Sequence, residues 1–368
     1  MKILQVINSL ATGGAEKLLL DTLPLYRKAG IEMDVLLLWD NNQPFTEALK
    51  ALNCCKVMIL NESDNYRDIY ALSNIFKLRT YLKEYDIAHV HLFPSLYFVV
   101  LANFINGNSC KLVFTEHSTS NRRIRNPFFR IIDSFFYIKY TRLIAINKDV
   151  KNALNVYKLN KLNFITIILN GVDVAKYITA NGFNKKNIDP KYKIDNKYVV
   201  QVSSFHEPKD HITLIQSLKY LPDYIKLILV GKGVLESKIK KYVEYEKLNA
   251  RVIFLGQRMD VPQILKTADV VVLSSKYEGL SLSSIEGMAS GKPFLASNVP
   301  GLKDVVEGAG VLFEQGNAEE LASKIIELMH NSELYNQVVN ACQERAQQYD
   351  INKMVAKHIE LYHEVFKN

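Results

Sequence analysis

The chain of 368 residues is 48% hydrophobic and 23% charged, which is typical of folded globular proteins and excludes an intrinsically disordered chain. Its length predicts two domains. The net charge of +8 favours phosphate-bearing partners or an anionic membrane surface, or else reflects ordinary surface lysines. No zinc-finger, homeodomain or RNP-like motif occurs, so we expect no nucleic-acid partner.

Cysteine usage and apolar runs indicate the compartment. The four cysteines lack metal-ligand spacing, which favours free thiols in a reducing compartment. A strand begins at Lys2 without a preceding signal peptide, and the longest strongly apolar run, residues 96–105, is far shorter than the roughly 20 residues that span a bilayer. We therefore expect a cytoplasmic protein, either soluble or peripheral on the inner face of the membrane.

Strand and helix patterns alternate through the first half of the chain. Continuous apolar runs predict buried parallel strands at 3–7, 34–38, 87–92, 112–115, 143–146 and 165–169. Helical patterns lie between them, as at 16–28 and 69–84. This alternation predicts a doubly wound α/β domain over residues 1–173.

The alternation breaks in a segment rich in Lys, Asn and Gly, which we interpret as a linker over residues 174–196. It resumes in a second doubly wound domain, residues 197–351, with strands predicted at 198–202, 226–230, 252–255, 270–273 and 294–296. We expect the final helix, within residues 352–368, to pack back on the first domain. Ligands of open parallel sheets bind beyond the carboxyl ends of the strands.

The first candidate motif, Gly13-Gly14-Ala15-Glu16, follows the first strand and opens the first helix. Its glycines permit close backbone approach, and free helix amides attract anions. A tight turn without ligand is the alternative, and the dinucleotide fingerprint is absent.

The second motif places His117 at the end of a buried strand, where it is either an acceptor-binding or proton-carrying group or a structural histidine.

Basic and aromatic residues interleave from Asn121 to Tyr137. This pattern suits an anionic membrane surface or a lipid diphosphate, with an ordinary amphipathic helix as the alternative. The basic residues that we assign to such a surface are Arg122, Arg123, Arg125 and Arg130.

Two further motifs belong to the second domain. Lys209 follows its first strand and can neutralise a phosphate as a compact charge, or else lies in a surface turn. The segment from Ser275 to Pro293 follows a strand and contains Glu278 and Glu286 around a helix start near Leu282. A diphosphate can rest on that helix terminus, while the carboxylates accept hydrogen bonds from sugar hydroxyls.

Taken together, these motifs resemble the retaining glycosyltransferases of family 4, which have the GT-B fold, over essentially the whole chain. Besides the motifs above, the resemblance rests on Asn170-Gly171-Val172-Asp173, Gly231-Lys232-Gly233, Phe254-Leu255-Gly256, Pro300-Gly301-Leu302 and the stretch from Gly310 to Glu314. The most specific motif is E-(x)7-E, from Glu278 to Glu286.

The resemblance implies two Rossmann-like domains that face each other across a cleft, with the nucleotide-sugar bound mainly by the second. It implies that Lys209, Glu278 and His117 are catalytic. It places the donor against Ser204, Gly256, Arg258, Gly279, Leu280, Ser281, Leu282 and Glu286. Gly13 and Gly14 would form a phosphate or acceptor-side loop.

The activity implied is transfer of a hexose or N-acetylhexosamine from a nucleotide-diphosphate sugar, UDP favoured, to a saccharide acceptor. We expect a lipid-linked acceptor in surface polysaccharide assembly, and no metal or other cofactor, in agreement with the lack of an Asp-x-Asp cluster.

One departure bears on activity, because the family often has Gly-Arg where this chain has Ser203-Ser204. The alternatives are a catalytically silent sugar-nucleotide-binding subunit and a sugar-nucleotide epimerase with the same fold. A phosphorylase and a dehydrogenase fit the sequence less well.

Overall fold

The structure is a computed structural model that describes residues 1–11, 13–118, 126–157, 159, 164–189 and 191–367. It divides into two compact units, residues 1–171 with 351–368, and residues 172–350. The strands are β1 (Lys2–Ile7), β2 (Glu32–Leu37), β3 (Val57–Ile59), β4 (Ile87–His91), β5 (Lys111–Glu116), β6 (Arg142–Ala145), β7 (Ile165–Ile167), β8 (Lys197–Val202), β9 (Ile225–Val230), β10 (Val252–Gly256), β11 (Val270–Leu273), β12 (Phe294–Ser297) and β13 (Val311–Phe313).

The α-helices follow the same alternation along the chain. They are α1 (Gly14–Lys28), α2 (Pro44–Leu52), α3 (Ser73–Leu82), α4 (Ser95–Ile105), α5 (Pro127–Tyr137), α6 (Lys148–Leu154), α7 (Val174–Thr179), α8 (Lys185–Ile188), α9 (His211–Ser217), α10 (Glu236–Tyr245), α11 (Val261–Thr267), α12 (Leu282–Ala289), α13 (Lys303–Val306), α14 (Ala318–His330), α15 (Ser332–Gln347) and α16 (Ile351–Lys367). Short 3₁₀ turns lie at Tyr66–Tyr70, Asn155–Tyr157 and Leu218–Tyr220.

Each unit is built on one parallel sheet. The strand order is β3-β2-β1-β4-β5-β6-β7 in the first unit and β10-β9-β8-β11-β12-β13 in the second. All pairings within both sheets are parallel, with Ile3 opposite Ile87 and Val199 opposite Val270 at the two central pairs. The predicted class, α/β with two doubly wound parallel sheets, is confirmed.

The strand order reverses at one point in each sheet, between β1 and β4 and between β8 and β11. The crevice beyond the carboxyl ends of such a strand pair is where ligands of doubly wound folds bind. The core strands are almost fully buried, as β4 and β9 show along their whole length. The loops after β8 and β11, and those after β4 and β5, therefore start from rigid supports.

Local structure departs from the sequence patterns in two places. The helix predicted over 69–84 is shorter, because a 3₁₀ turn at Tyr66–Tyr70 precedes α3. The segment 174–196 contains α7 and α8 and lies in the second unit. Helix α16 packs on α1 within the first unit. Over the residues that the structure describes, no helix is both long and apolar enough to cross a bilayer.

Candidate functional site

The loops after β8 and β11 are tied together at the carboxyl edge of the second sheet. The backbone amide of Asp210 donates to the carbonyl of Ser274 at 2.9 Å, and that of Lys276 donates to the carbonyl of Pro208 at 2.8 Å. Lys209 and Ser275 form the antiparallel bridge between these bonds. The topology of the sheet thus brings two candidate motifs, 66 or more residues apart in sequence, into direct contact.

Lys209 and Glu278 form an ion pair at this junction. The Nζ atom of Lys209 donates to Oε1 of Glu278, and the Oγ atom of Ser275 donates to the same oxygen at 2.7 Å. The side chains of the pair are only 14% and 10% exposed, so solvent screens their interaction weakly. The structure therefore holds an ammonium and a carboxylate side by side at the point where strand order reverses.

Helix α12 begins at Leu282, four positions beyond Glu278. In the first turn of the helix, the amide of Ser284 donates to the carbonyl of Ser281 at 3.2 Å. Leu282 is the first helical residue, and the amide of a first helical residue has no partner within the helix. Gly279, Leu280, Ser281 and Leu282 connect Glu278 to this helix start. Such a terminus attracts anions because its amides carry partial positive charge.

Gly301 packs directly against the loop that contains Glu278 and Gly279. Its φ angle is +82°, and a Cβ atom there would lie 2.3 Å from the carbonyl oxygen of Glu278 and 2.5 Å from that of Gly279. Only glycine combines this left-handed conformation with so close an approach. The motif Pro300-Gly301-Leu302 is therefore part of the scaffold of the candidate site.

Glu286 lies one turn into α12 and is 4% exposed. The helix is pressed against the sheet at the next residue, because a Cβ atom on Gly287 would lie 2.5 Å from the ring of Phe294 and 3.1 Å from Val271. This close packing fixes the position of the Glu286 carboxyl group relative to β11 and β12.

Ser203 and Ser204 end the strand that leads to Lys209. The Oγ atom of Ser203 accepts from Nε2 of Gln201 at 3.0 Å and lies 3.2 Å from Nε2 of His211. Burial, and then the nearby Lys209, lowers the pKa of His211 to about 4, so this imidazole is neutral at pH 7. Ser204 is half-buried. Ser203 is thus held in the core, while Ser204 is the residue nearer solvent.

Gly256 ends β10, and Arg258 follows it in the next loop. Gly256 has a φ angle of +63°, and its carbonyl accepts from the amide of Gly231 at 2.8 Å. The Nε atom of Arg258 donates to Oδ1 of Asp260 at 2.8 Å. That bond raises the pKa of Arg258 and lowers the pKa of Asp260. These residues lie at the carboxyl edge of β10, two strands from β8.

In the first unit, His117 belongs to a cluster of histidines. Its Nε2 atom lies 3.1 Å from Nδ1 of His91, whose Nε2 lies 2.8 Å from the side-chain oxygen of Gln5. Desolvation, and then His358, lowers the pKa of His117 to about 4. His117 is therefore a neutral hydrogen-bonding group at pH 7, and protonation is opposed by its neighbours.

The histidine cluster and the first helix line one cavity in the first unit. Its walls include Ala15, His91, His117, Asn170 and His358. The structure therefore brings Ala15 of the Gly-Gly-Ala-Glu motif and His117 to the same cavity.

At the start of α1, Gly13 is the N-cap and Gly14 the first helical residue. A Cβ atom on Gly13 would lie 2.2 Å from Oε2 of Glu16. Burial raises the pKa of Glu16 to about 7, against the opposite effect of a hydrogen bond to its own backbone.

Sequence reasoning missed most of the histidine cluster. His89 bonds through Nδ1 to the hydroxyl of Tyr362 at 2.6 Å and through Nε2 to the hydroxyl of Thr115 at 2.7 Å. The available signal was the alternation Ile87-Ala88-His89-Val90-His91, since two histidines on a buried strand require partners.

Arg122, Arg123 and Arg125 lie outside the described residues, and Arg130 is on α5.

Comparison with known proteins finds relatives that are glycosyltransferases. A galactosyltransferase of Escherichia coli, UDP-Gal:alpha-D-GlcNAc-diphosphoundecaprenol alpha-1,3-galactosyltransferase, is 27% identical over 319 residues, covering 82% of this chain and 81% of its own. A Campylobacter jejuni enzyme, N,N'-diacetylbacillosaminyl-diphospho-undecaprenol alpha-1,3-N-acetylgalactosaminyltransferase, is 33% identical over 247 residues, covering 65% of each chain. Both relatives are transferases named for diphospho-undecaprenol acceptors.

Among solved structures, Anabaena HepE in complex with UDP and glucose superposes with a TM-score of 0.84 at 23% identity, covering 99% of both chains. This likeness establishes the fold. The family model described as Glycosyltransferase Family 4 matches residues 12–176, and the model described as Glycosyl transferases group 1 matches residues 184–345. These consecutive matches cover most of the chain, which is therefore a glycosyltransferase of family 4 with the GT-B fold.

Proposed function

We propose that this chain transfers a hexose or N-acetylhexosamine from a UDP-sugar to a saccharide acceptor linked to a lipid diphosphate, with retention of the anomeric configuration. The observation that carries the proposal is the Lys209–Glu278 pair beside the start of α12 at the switch point of the second sheet. The UDP-galactose and diphospho-undecaprenol in the Escherichia coli relative's name, and the UDP bound to HepE, support this choice of donor and acceptor.

The donor diphosphate would lie between Lys209 and the first amides of α12. These groups stabilise negative charge as it develops on the leaving phosphate. Glu286 would hold the ribose. Glu278 would accept hydrogen bonds from the sugar hydroxyls, and the amides of Gly279, Leu280, Ser281 and Leu282 would hold the phosphates. Ser204 would border the phosphates, while Gly256 and Arg258 would lie near the base.

In the proposed reaction the acceptor hydroxyl attacks the anomeric carbon on the face from which the diphosphate departs. The acceptor oxygen forms the new glycosidic bond as the bond from the anomeric carbon to the phosphate oxygen breaks. The acceptor proton passes to the departing phosphate oxygen. On this mechanism neither glutamate is a covalent nucleophile. Fixed protein cations and amides can supply the charge that a divalent ion supplies elsewhere, so we propose that no metal is required.

The acceptor would be held by the first unit. Gly13 and Gly14 place backbone amide groups at the start of α1, where an acceptor could approach them closely. The neutral imidazole of His117 can form hydrogen bonds with a sugar hydroxyl.

A lipid-linked acceptor implies access to a membrane, and α5 carries a face suited to it. Phe128 and Ile131 are 65% and 73% exposed, and Phe135 is 54% exposed. The Nζ atom of Lys139 lies 5.0 Å from the centre of the Phe135 ring, and Arg130 is on the same helix. Exposed aromatic residues with cations beside them suit an anionic lipid surface. We extend this proposed surface to Arg122, Arg123 and Arg125.

The membrane proposal predicts that Phe128→Ser combined with Ile131→Ser lowers association with anionic vesicles about tenfold, since less apolar area enters the lipid. Charge reversal at Arg122, Arg123 and Arg125 should also lower association with the vesicles. Neither the serine substitutions nor the charge reversals should change the rate of donor hydrolysis. Vesicle co-sedimentation measures the effect. Phe76→Ser, at a side chain 64% exposed on α3, is the matched control. Equal binding by the control and the α5 variant would exclude α5 as the contact.

The donor is tested with a panel of UDP-, GDP- and ADP-sugars in the presence of EDTA. We expect one UDP-sugar to raise the melting temperature and to be slowly hydrolysed without metal. A ligand at 100 times its Kd stabilises the folded state by about 2.7 kcal/mol. Glu286→Ala should abolish both responses.

The other outcomes of the panel separate the alternatives. Binding without hydrolysis, and without transfer when lipid-linked acceptors are added, would identify a silent sugar-nucleotide-binding subunit. Interconversion of one nucleotide-sugar into another would identify an epimerase. A response that disappears with EDTA would contradict metal independence.

A further inference from the structure

A row of hydrogen-bonded side chains crosses three neighbouring strands of the first unit. Gln5 lies on β1, His89 and His91 lie on β4, and His117 directly follows β5. Gln5 and the two histidines on β4 are at most 6% exposed. Buried polar groups are nearly always hydrogen-bonded, so the partners of each nitrogen and oxygen determine which of them donates and which accepts.

The amide group of Gln5 has different neighbours at its two ends. Its Nε2 atom lies 3.2 Å from Sδ of Met33 and 3.2 Å from the hydroxyl oxygen of Tyr362. A thioether sulfur can accept a hydrogen bond but cannot donate one, so the amide nitrogen rather than the amide oxygen faces Met33. The oxygen Oε1 of Gln5 is therefore the atom that faces His91, at 2.8 Å from its Nε2.

This orientation fixes the tautomers of two imidazoles in turn. Because Oε1 of Gln5 can only accept, Nε2 of His91 carries a proton. Burial, and then His117 and His358, lowers the pKa of His91, so this ring is neutral at pH 7 and its Nδ1 has a lone pair. Nε2 of His117, 3.1 Å from that lone pair, must donate to it. The neutral ring of His117 has only one N–H group, so its Nδ1 is unprotonated.

The Nδ1 atom of His117 remains for a ligand. His117 is half-buried and borders the cavity that Ala15 and Asn170 also line. Among the residues that the structure describes, none forms a hydrogen bond with Nδ1 of His117. An unprotonated imidazole nitrogen can accept a hydrogen bond but cannot donate one. A ligand at this position is therefore favoured when it presents an O–H or N–H group.

We propose that Gln5 is a positioning residue that holds His117 as the Nε2–H tautomer, so that Nδ1 accepts a hydrogen bond from one hydroxyl group of the saccharide acceptor. The inference rests on the function proposed above, and Gln5 acts through His91. The arrangement selects acceptors in which that hydroxyl is free. A sugar whose hydroxyl is replaced by fluorine has no proton to donate there, and its fluorine would face the nitrogen lone pair.

Nitrogen NMR of the full chain with isotope-labelled histidine tests the tautomer directly, because couplings to the ring protons show which nitrogen is protonated. We expect a protonated Nε2 and an unprotonated Nδ1 for both His91 and His117. His358 is the internal control, since its Nδ1 lies 3.0 Å from the carbonyl oxygen of Met354 and must donate to it, which gives the opposite tautomer. A protonated Nδ1 at His117 in the wild type would overturn the proposal.

Gln5→Met tests the role of Gln5, because methionine has a similar volume and lacks the oxygen that accepts from His91. We expect the proton of His91 to move to Nδ1 and to be donated to Nε2 of His117, which becomes the Nδ1–H tautomer. Thr115→Val is the matched control. It removes a hydroxyl 2.7 Å from Nε2 of His89 in the same buried row but leaves Gln5 in place, so His117 should keep its wild-type tautomer. An unchanged His117 tautomer in Gln5→Met would contradict the role of Gln5.

A panel of acceptors, each with one hydroxyl replaced by fluorine, tests the consequence for the substrate. One analogue should lose at least about tenfold in kcat/KM with the wild type, because its bond to Nδ1 of His117 cannot form. With Gln5→Met the loss should shrink to less than about threefold, because the protonated Nδ1 can now donate. Thr115→Val should show the full loss. Equal losses in Gln5→Met and the wild type, or no sensitive position in the wild type, would overturn the proposal.

The two measurements separate this inference from the proposed function, because the tautomers are observed without turnover. A chain that transfers no sugar to any acceptor would contradict the proposed function and the bond to a hydroxyl, while the spectrum would still decide the tautomer of His117. If Gln5→Met does not fold, the wild-type spectrum and the wild-type acceptor panel decide. A protonated Nδ1, or no sensitive hydroxyl, would each contradict the proposal.

Discussion

Lys209→Ala is expected to lower the rate of sugar transfer about 10²–10³-fold, the usual effect of removing one group that stabilises a developing oxyanion. The Nζ atom of Lys209 is held by its pair with Glu278, which precedes the first residue of α12 by four positions. Without the ammonium, the carboxylate of Glu278 would remain next to the leaving diphosphate and repel it. Turnover with the donor identified in the panel measures the effect.

Two further variants separate catalysis from stability. Lys209→Ala should also destabilise the fold by about 1–3 kcal/mol, because a nearly buried carboxylate loses its partner. Adding Glu278→Gln should restore the melting temperature without restoring turnover. Lys276→Ala, which removes an exposed lysine paired with Glu207 at 3.2 Å on the same loop, should stay within about threefold of the wild type. A Lys209→Ala enzyme with more than a third of wild-type turnover would refute the proposed role.

Gly301→Ala is the second substitution for which we expect a large effect. The new methyl group would have to displace the carbonyl of Glu278, 2.3 Å away, and would also force alanine into a left-handed conformation. We expect a loss of about 2–4 kcal/mol in the free energy of unfolding. Donor affinity should fall at least about tenfold, because a small displacement of binding groups is costly. Denaturant unfolding and UDP titration measure the two effects.

Gly316→Ala provides the control for backbone strain. Gly316 has a φ angle of +81°, almost the same as Gly301, but no atom lies within 4 Å of the added Cβ position. This variant should lose only about 1 kcal/mol and keep its donor affinity. If the two variants behaved alike, contact with the Glu278–Gly279 loop would not be the reason for glycine at position 301.

The central strands were predictable because burial on both faces leaves continuous apolar runs in the sequence. Strands β3 and β13 were missed, since each has three residues at a sheet edge and is partly exposed. The helix predicted over 69–84 was too long, because the apolar pattern continues from the 3₁₀ turn into α3. Local patterns thus predict the sheet centre better than its margins.

The candidate residues were predictable as separate motifs, but their partners were not. Nothing near Lys209 in the sequence indicates that its ammonium group meets Glu278, because the contact depends on β8 lying beside β11. The same holds for His117, which directly follows β5, and for His91, which ends the neighbouring strand β4. The roles of these residues in donor and acceptor binding stay predictions until the variants are measured.

The position of α16 in the first unit affects the order in which the nascent chain can fold. The second unit is a continuous stretch, residues 172–350, whereas the first also needs residues 351–368. Tyr362 is fully buried there and bonds to His89 at 2.6 Å and to Gln5 at 3.2 Å. During synthesis on the ribosome, the second unit can therefore complete its core first. The first unit cannot complete its core until α16 emerges, because the positions beside β1 and β4 that Tyr362 fills stay empty until then.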